Sequence, residues 1–351
     1  MDWIKPEFSK GAVNRAGRLL ATPSNEILEW DTYSTALEIV NNWRASHNYP
    51  LNTFKVTLRQ KAFAVDSHAI VAQRIKRMSS ITLKLTRFPT MQLAQMQDLG
   101  GCRAILGSLS QVRMLQKRYK ESDLKHGLDD VDDYISSPKD SGYRGIHLIW
   151  KYYSDSNSGA RFYNGLFLEM QLRSGLQHAW ATAVETVGTL LRQSLKSSQG
   201  EEKWLRFFAL MGSAIARREK QDALVPNTPK TKTALVAELK KLIKDLSVFQ
   251  TLSAYANAVN YAVQRAHKSD HYFLLNLEPS EGRMSVTAYK RNELERATSE
   301  YLEVEKKISK EAGAEAVLVS VDSLAVLRRA YPNYFLDTAL FLEEVKEAIK
   351  R

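Results

Sequence analysis

Between Asn25 and His47 the apolar side chains Ile27, Trp30, Tyr33, Leu37, Val40 and Trp43 recur at the three-to-four spacing of one helix face, with Ser24 placed as a cap. From Ala69 to Ser174 the period shortens. Apolar runs over Ala69–Lys76, Cys102–Leu106, Arg144–Tyr153 and Leu166–Arg173 predict strands, separated by turn-rich pieces and by a helix over Leu109–Tyr119. Gly175–Leu191 and Glu202–Lys220 read as covering helices. The stretch Asp222–Thr233, with two prolines, small polar residues and lysines, has the composition of a linker. Beyond it the pattern predicts one long helix over Ala234–Ala266 and strands His271–Leu277 and Met284–Lys290. A charged helix over Asn292–Ala312, a strand over Ala316–Val321 and two closing helices split at Pro332 complete it. The expectation is a mixed α+β protein: residues 1–225 as a first domain, 226–270 as linker and connecting helix, and 271–351 as a smaller C-terminal α/β domain.

Charge sharpens this picture. The chain of 351 residues carries a formal +11, and residues 55–120 hold thirteen Lys/Arg against only Asp66 and Asp98, a field that draws phosphates or nucleic acid. Residues 201–351 are nearly balanced, 24 basic against 21 acidic. Cys102 is the single cysteine, so a disulfide framework or a cysteine zinc site is excluded and a reducing, cytoplasmic home is expected. No run approaches the roughly 20 apolar residues of a membrane span, and the N-terminus lacks the apolar core of a secretory signal.

Four segments carry candidate chemistry. In the first, Arg74 and Lys76 share one side of a strand, and if Ser79 opens a helix then Ser80, Lys84 and Arg87 share one helix face, so several cations converge on one polyphosphate or simply form a solvated basic face. In the second, Asp98-Leu-Gly-Gly-Cys-Arg103, a lone carboxylate among cations is either a salt-bridge partner or a magnesium ligand completed by phosphates and a second carboxylate. The third, Leu166–Arg173, alternates strictly, placing Glu169, Gln171 and Arg173 on one face and Leu168, Met170 and Leu172 on the other; Gln177 and His178 follow on the next helix. The fourth runs from Asp133 through Pro138, Lys139, Gly142 and Tyr143 to His147. It is a shaped loop offering a cation and an aromatic to a phosphate and a base. The acidic run Asp129, Asp130, Asp132, Asp133 lacks EF-hand spacing and reads as a solvated loop.

Together these segments resemble the RelA/SpoT pyrophosphokinase domain, matching R-x-K-x(3)-S-I-x(2)-K, D-x(2)-G-x-R, D-Y-I-x(2)-P-K-x(2)-G-Y-x(2)-[IL]-H and E-x-Q-[IL]-R in order between about Ala69 and Trp180. The resemblance implies a nucleotidyltransferase-like mixed β-sheet flanked by helices, and transfer of the β,γ-pyrophosphate of ATP to a ribose 3′-hydroxyl with Mg²⁺ as the only metal. It implies ATP binding by Arg74, Lys76, Ser80, Lys84, Arg87 and Arg103, with the two arginines sandwiching adenine. Magnesium falls to Asp98 and Glu169, with Glu169 also taking the proton from the attacking hydroxyl. Acceptor binding falls to Lys139, Tyr143, His147, Gln171 and Arg173, with Tyr143 stacking on the acceptor base. The seven histidines include no N-terminal His-Asp pair of the HD hydrolase kind, so a synthetase-only member is expected.

Tyr331-Pro-Asn-Tyr334 resembles the YxxY element of fused toxin–antitoxin synthetases of the CapRel kind. That resemblance implies that the acceptor is the 3′-terminal adenosine of tRNA, that the C-terminal domain inhibits the enzyme by covering the adenine site through Tyr331 and Tyr334, and that a phage capsid protein relieves it. For the tRNA stem, Lys55, Arg59, Lys61, Arg77, Arg113, Lys117, Arg118 and Lys120 are candidate backbone contacts. Two rivals stand beside this reading: an alarmone synthetase making (p)ppGpp from ATP and GDP or GTP, and a non-catalytic RNA-binding protein.

Overall fold

The computed structural model describes residues 3–22, 30–156, 159–190, 201–258, 260–263, 270–278, 283–308, 314–321, 323–332 and 338–350. Its elements follow the alternation of periods along the chain. Helices α1 (Lys10–Ala21), α2 (Trp30–Ser46) and α3 (Asn48–Phe63) precede β1 (Ile70–Ile75), α4 (Met78–Arg87), β2 (Gly100–Leu106) and α5 (Leu109–Lys120). Then come β3 (Gly127–Asp133), β4 (Ile146–Lys151), β5 (Phe167–Ser174), α6 (Gly175–Leu190) and α7 (Glu202–Arg218). The remainder comprises α8 (Lys232–Asp245), α9 (Val248–Ala258), β6 (Asn260–Val263), β7 (Asp270–Glu278), β8 (Arg283–Lys290), α10 (Leu294–Ile308), β9 (Glu315–Ser320), α11 (Leu324–Ala330) and α12 (Ala339–Ala348). Local chemistry sets several starts: Ser9 accepts the Ala12 amide at 3.2 Å, and Ser108 with Gln111 forms a capping box ahead of α5.

The fold is α+β, as expected. Among the described residues nine strands form one mixed sheet in the order β3-β4-β5-β2-β1-β9-β7-β8-β6, with β2 parallel to β5, β6 parallel to β8 and the other pairs antiparallel. Because side chains alternate along a strand, the register assigns each residue a face. Val71, Ala104, Leu172 and Ile146 lie in one row, and Cys102, Met170 and Leu148 in the next; all are buried in the main core beneath α1 to α5. The opposite face carries Arg74, Gly101 and Glu169 in one row, and Ala72, Arg103, Gln171 and His147 in another. A second core joins α6 and α7 to α8, α9 and α12 through Val184, Phe207, Leu239, Leu252 and Phe341. A third places Leu327, Ala330 and Tyr331 of the C-terminal segment on Ile70, Ala72 and Ile105.

Two sequence expectations are corrected. The single helix over Ala234–Ala266 is two helices and a strand, broken after Asp245 where Leu246 caps α8 and Ser247 takes φ +46°, a left-handed conformation that no α-helix interior contains. The acidic run read as a loop is strand β3, paired with β4 at the end of the sheet, where Asp129 and Asp130 are exposed and Asp133 is held by Arg113. The stretch at 222–233 is also more than a tether, since Val225 is buried and the Arg144 guanidinium donates to the Ala223 carbonyl at 2.6 Å. Among the described residues no helix is long and apolar enough to cross a membrane.

Candidate active site

The four motif segments come together on the polar face of the β1-β2-β5-β4 portion of the sheet. Arg74 near the end of β1, Gly101 in β2 and Glu169 in β5 occupy one cross-strand row, and glycine in the middle leaves the space between the two charged side chains unfilled. A Cβ at Gly101 would meet nothing closer than backbone oxygens at 3.9 and 4.0 Å. One step along, Arg103 pairs with Gln171 and Gln171 with His147. Register alone therefore aligns five of the expected residues, with Arg173 one row further on the same face.

Asp98 stands two residues before β2. Its carboxylate accepts from Lys76 Nζ at 2.7 Å and from Lys84 Nζ at 3.0 Å. Burial works to raise this carboxyl, yet Lys76 and Lys84 hold it below the usual aspartate range, against the repulsion of Glu169. Glu169 is thus near enough to be felt at Asp98 although 71 positions separate them in the chain. Ser80 is half-buried in the first turn of α4, one turn before Lys84, and Arg87 is exposed in its last turn beside Phe88.

A second chain of contacts runs from Glu169 to Arg173. His147 Nδ1 lies 2.8 Å from Glu169 Oε1, and His147 Nε2 lies 2.5 Å from the Tyr143 hydroxyl. Arg173 donates to that hydroxyl at 2.9 Å and to Gln171 Oε1 at 2.7 Å, while the Gln171 amide donates to Glu169 Oε2 at 2.5 Å. Burial would lower His147, but Tyr143 and the Glu169 carboxylate raise it to about 9. Burial would raise Tyr143, but Arg173 and His147 bring it down to about 8. Glu169, which burial alone would raise, is held far below the carboxylate range by His147 and Gln171. At neutral pH the arrangement is thus an imidazolium clasped between a carboxylate and an acidic phenol.

The expected stacking platform is different in detail. Tyr143 is 6% exposed, edge-on to Tyr134 and Trp180 with the Arg173 guanidinium 5.1 Å from its ring centre, so this conformation gives an incoming base no open face. Tyr134, which the sequence reading left unassigned within its Asp-Tyr-Ile motif, is half-buried and carries Lys139 Nζ 4.1 Å over its ring. Lys139 itself is exposed.

The C-terminal segment reaches the same face. Tyr331 lies with its ring 4.7 Å from the Arg103 guanidinium, and Arg103 Nη1 donates to the Ala330 carbonyl at 3.4 Å. His178, buried and lowered to about 3 by burial and by Arg103 and Arg173, lies 3.2 Å through Nε2 from the Arg329 carbonyl. Tyr334 lies outside the described residues. One expected RNA contact is removed: Lys55 is 3% exposed, and its Nζ donates to Ser320 Oγ at 2.9 Å. Arg59, Lys117, Arg118 and Lys120 are exposed. Sequence reading also missed Arg44, Tyr301 and Glu305, whose meeting joins α2 to α10; no local pattern marks them.

Among the described residues no group of three or more His, Cys, Asp or Glu side chains gathers to hold a metal ion. Asp98 and Glu169 are carboxylates of the kind that suits Mg²⁺, which is commonly held by one or two carboxylates together with substrate phosphates.

Comparison with known proteins finds relatives over the first part of the chain. A curated relative, the GTP pyrophosphokinase YjbM of Bacillus subtilis (strain 168), is 29% identical over 123 residues, covering 33% of this chain and 56% of that protein. The chain therefore spans little more than half the length of that relative. Similar solved structures include the small alarmone synthetase 1 of Bacillus subtilis bound to its product pppGpp, at 22% identity, 54% of this chain, 94% of that one and a TM-score of 0.44. A GTP pyrophosphokinase family protein from Streptococcus pneumoniae shows 18% identity, 58% and 92% coverage and a TM-score of 0.40. Residues 73–187, which include every side chain of the two contact chains above, match the model of the region found in RelA/SpoT proteins.

Proposed function

We propose that the chain is an ATP-dependent pyrophosphokinase that passes pyrophosphate to the 3′-hydroxyl of the terminal adenosine of tRNA and is restrained by its own C-terminal segment. The observation that carries the reading is the polar sheet face, where Arg74 and Glu169 flank the open position of Gly101 and Asp98 is held between two lysines. Transfer of this kind asks a protein mainly to position the reactants and neutralise charge. Lys76 and Lys84 are cations that a triphosphate can recruit from Asp98; Asp98 and Glu169 would hold a magnesium ion, which would supply charge neutralisation on the phosphates. Glu169 faces the acceptor side and is the carboxylate placed to take the proton of the attacking hydroxyl, oriented by His147 and Gln171.

Restraint is supported by the contact of Tyr331 with Arg103, one of the two arginines expected to grip adenine: an aromatic ring already stacked on that guanidinium competes with a purine for it. The module joins the sheet through a short ladder, with only Gln73 and Arg74 of β1 pairing with β9, which suits a segment that can be lifted away. A phage capsid protein as the lifting partner follows from the YxxY resemblance. The exposed basic residues of α3 and α5 favour a nucleic-acid acceptor, since phosphate contacts position a stem without reading its sequence. The alarmone alternative keeps the same donor chemistry and replaces tRNA by GDP or GTP.

The discriminating experiment uses ATP labelled at the γ-phosphate with the Tyr331→Ala protein and with the wild type with and without capsid protein. Label is expected on deacylated tRNA, lost when the terminal adenosine is trimmed, and stronger by at least tenfold in the variant. Label appearing on GDP or GTP instead selects the alarmone reading, and equal transfer by wild type and variant contradicts restraint.

A further inference from the structure

A second part of the C-terminal segment, helix α10, meets the start of α4. Arg44 of α2 is 2% exposed. Its Nε and Nη2 donate to the Lys76 carbonyl at 3.1 and 2.9 Å, and its Nη1 donates to Asn41 Oδ1 at 2.7 Å and to Glu305 Oε2 at 3.0 Å. Nη2 also donates to the Tyr301 hydroxyl at 2.8 Å, and that hydroxyl donates to Glu305 Oε1 at 2.5 Å. Glu305 comes from α10, 261 positions along the chain. The same Oε1 accepts the backbone amide of Met78 at 2.9 Å, the first residue of α4.

The chemistry of this meeting is that of an anion seat. A helix start presents unsatisfied amides and the positive end of the helix dipole, a buried guanidinium adds a full charge, and the occupant is a carboxylate brought from a distant element. The seat adjoins the lysines of the candidate donor site: Lys76, whose carbonyl Arg44 holds, lies two residues before Met78, and Lys84 lies on the helix that Met78 opens.

We propose that Glu305 is a second restraining contact, separate from Tyr331, whose carboxylate takes on Arg44 and the first amide of α4 the place of a phosphate of the donor nucleotide. This rests on the reading of the chain as a restrained pyrophosphokinase. It assigns the two contacts different specificities: Tyr331 competes with the base, and Glu305 competes with the phosphates. A bound triphosphate therefore displaces both, whereas a nucleoside meets only the first.

The test measures binding of ATP and of adenosine to the full chain in three forms: wild type, Glu305→Gln and Tyr331→Ala. Glu305→Gln is expected to tighten ATP about tenfold and adenosine much less, while Tyr331→Ala tightens both to a similar degree. Because the glutamine leaves Arg44 buried beside a neutral group, Glu305→Asp is run in parallel; it keeps the charge but withdraws the carboxylate from the Met78 amide, and a gain of several-fold for ATP over adenosine is expected. Equal gains for ATP and adenosine in both Glu305 variants overturn the phosphate-competing role, as does no gain in proteins that melt like the wild type. If Tyr331→Ala also leaves ATP binding unchanged, the restraint reading falls with it; if Tyr331→Ala tightens ATP and the Glu305 variants do not, only this inference falls.

Discussion

A histidine with a carboxylate on one ring nitrogen and a phenol on the other titrates as a member of a group. In the unfolded chain His147 loses its proton near 6.5, whereas in the fold it does so at about 9, in step with a Tyr143 lowered to about 8. A folded value above the unfolded one means that the stabilisation is fully present below about 6.5 and is lost as the pH rises through about 9. Chemical unfolding of wild type and His147→Gln at pH 6 and pH 10 checks this. The substitution is expected to cost about 1–3 kcal/mol more at the lower pH, and an equal cost at both would show that Glu169 and Tyr143 do not hold the proton. At this scale the alternation of Glu169, Gln171 and Arg173 against Leu168, Met170 and Leu172 was legible in the sequence, because a strand of period two leaves one face to polar side chains. The pairing of Arg44 with Glu305 was not, because contacts across 261 positions leave no local spacing to read.

Among the elements, the segment from Tyr134 to His147 depends on one glycine. Gly142 takes φ +95°, and a Cβ there would lie 2.5 Å from the Phe208 carbonyl oxygen and 3.0 Å from Ala209 Cα in α7. Gly212 of α7 approaches the same point from the other side, 2.6 Å from the Gly142 oxygen by the same measure. Trp180 seals the contact by donating to the Phe208 carbonyl at 2.9 Å. Backbone against backbone cannot yield as a side-chain tip does, so Gly142→Ala is expected to destabilise by more than about 3 kcal/mol. A melting temperature within 2–4 °C of wild type, the shift that roughly 1 kcal/mol produces in a larger domain, would show that the approach is looser than described. The glycine was visible in the sequence as part of a shaped loop, but its partner helix was not. The edge strand β3 was missed because four aspartates in five positions mimic a solvated loop, and on a sheet edge such charges serve as protection from pairing with another chain. The long helix predicted over Ala234–Ala266 failed because helical periodicity continues across Ser247 while the backbone there turns left-handed.

For the molecule as a whole, strand order decides what can reach the candidate site. Insertion of β9 between β1 and β7 continues the sheet from the half that carries the motif residues into the C-terminal strands, which brings α11 over Arg103 and α10 against α4. Nothing in the spacing of apolar residues announces that order, although the strands other than β3 and β6 and the motif residues were identifiable. The proposed chemistry needs Asp98, in the turn ahead of β2, and Glu169, in β5, to act together. Its most direct test is the rate of AMP formation from ATP in the presence of acceptor, measured in a Tyr331→Ala background with and without Asp98→Asn and, separately, Glu169→Gln. A fall of at least about 100-fold in each double variant, with circular dichroism unchanged, is the predicted result, in line with the loss of one preorganised electrostatic group; undiminished AMP formation in either would contradict the assignment of the polar sheet face as the site of chemistry.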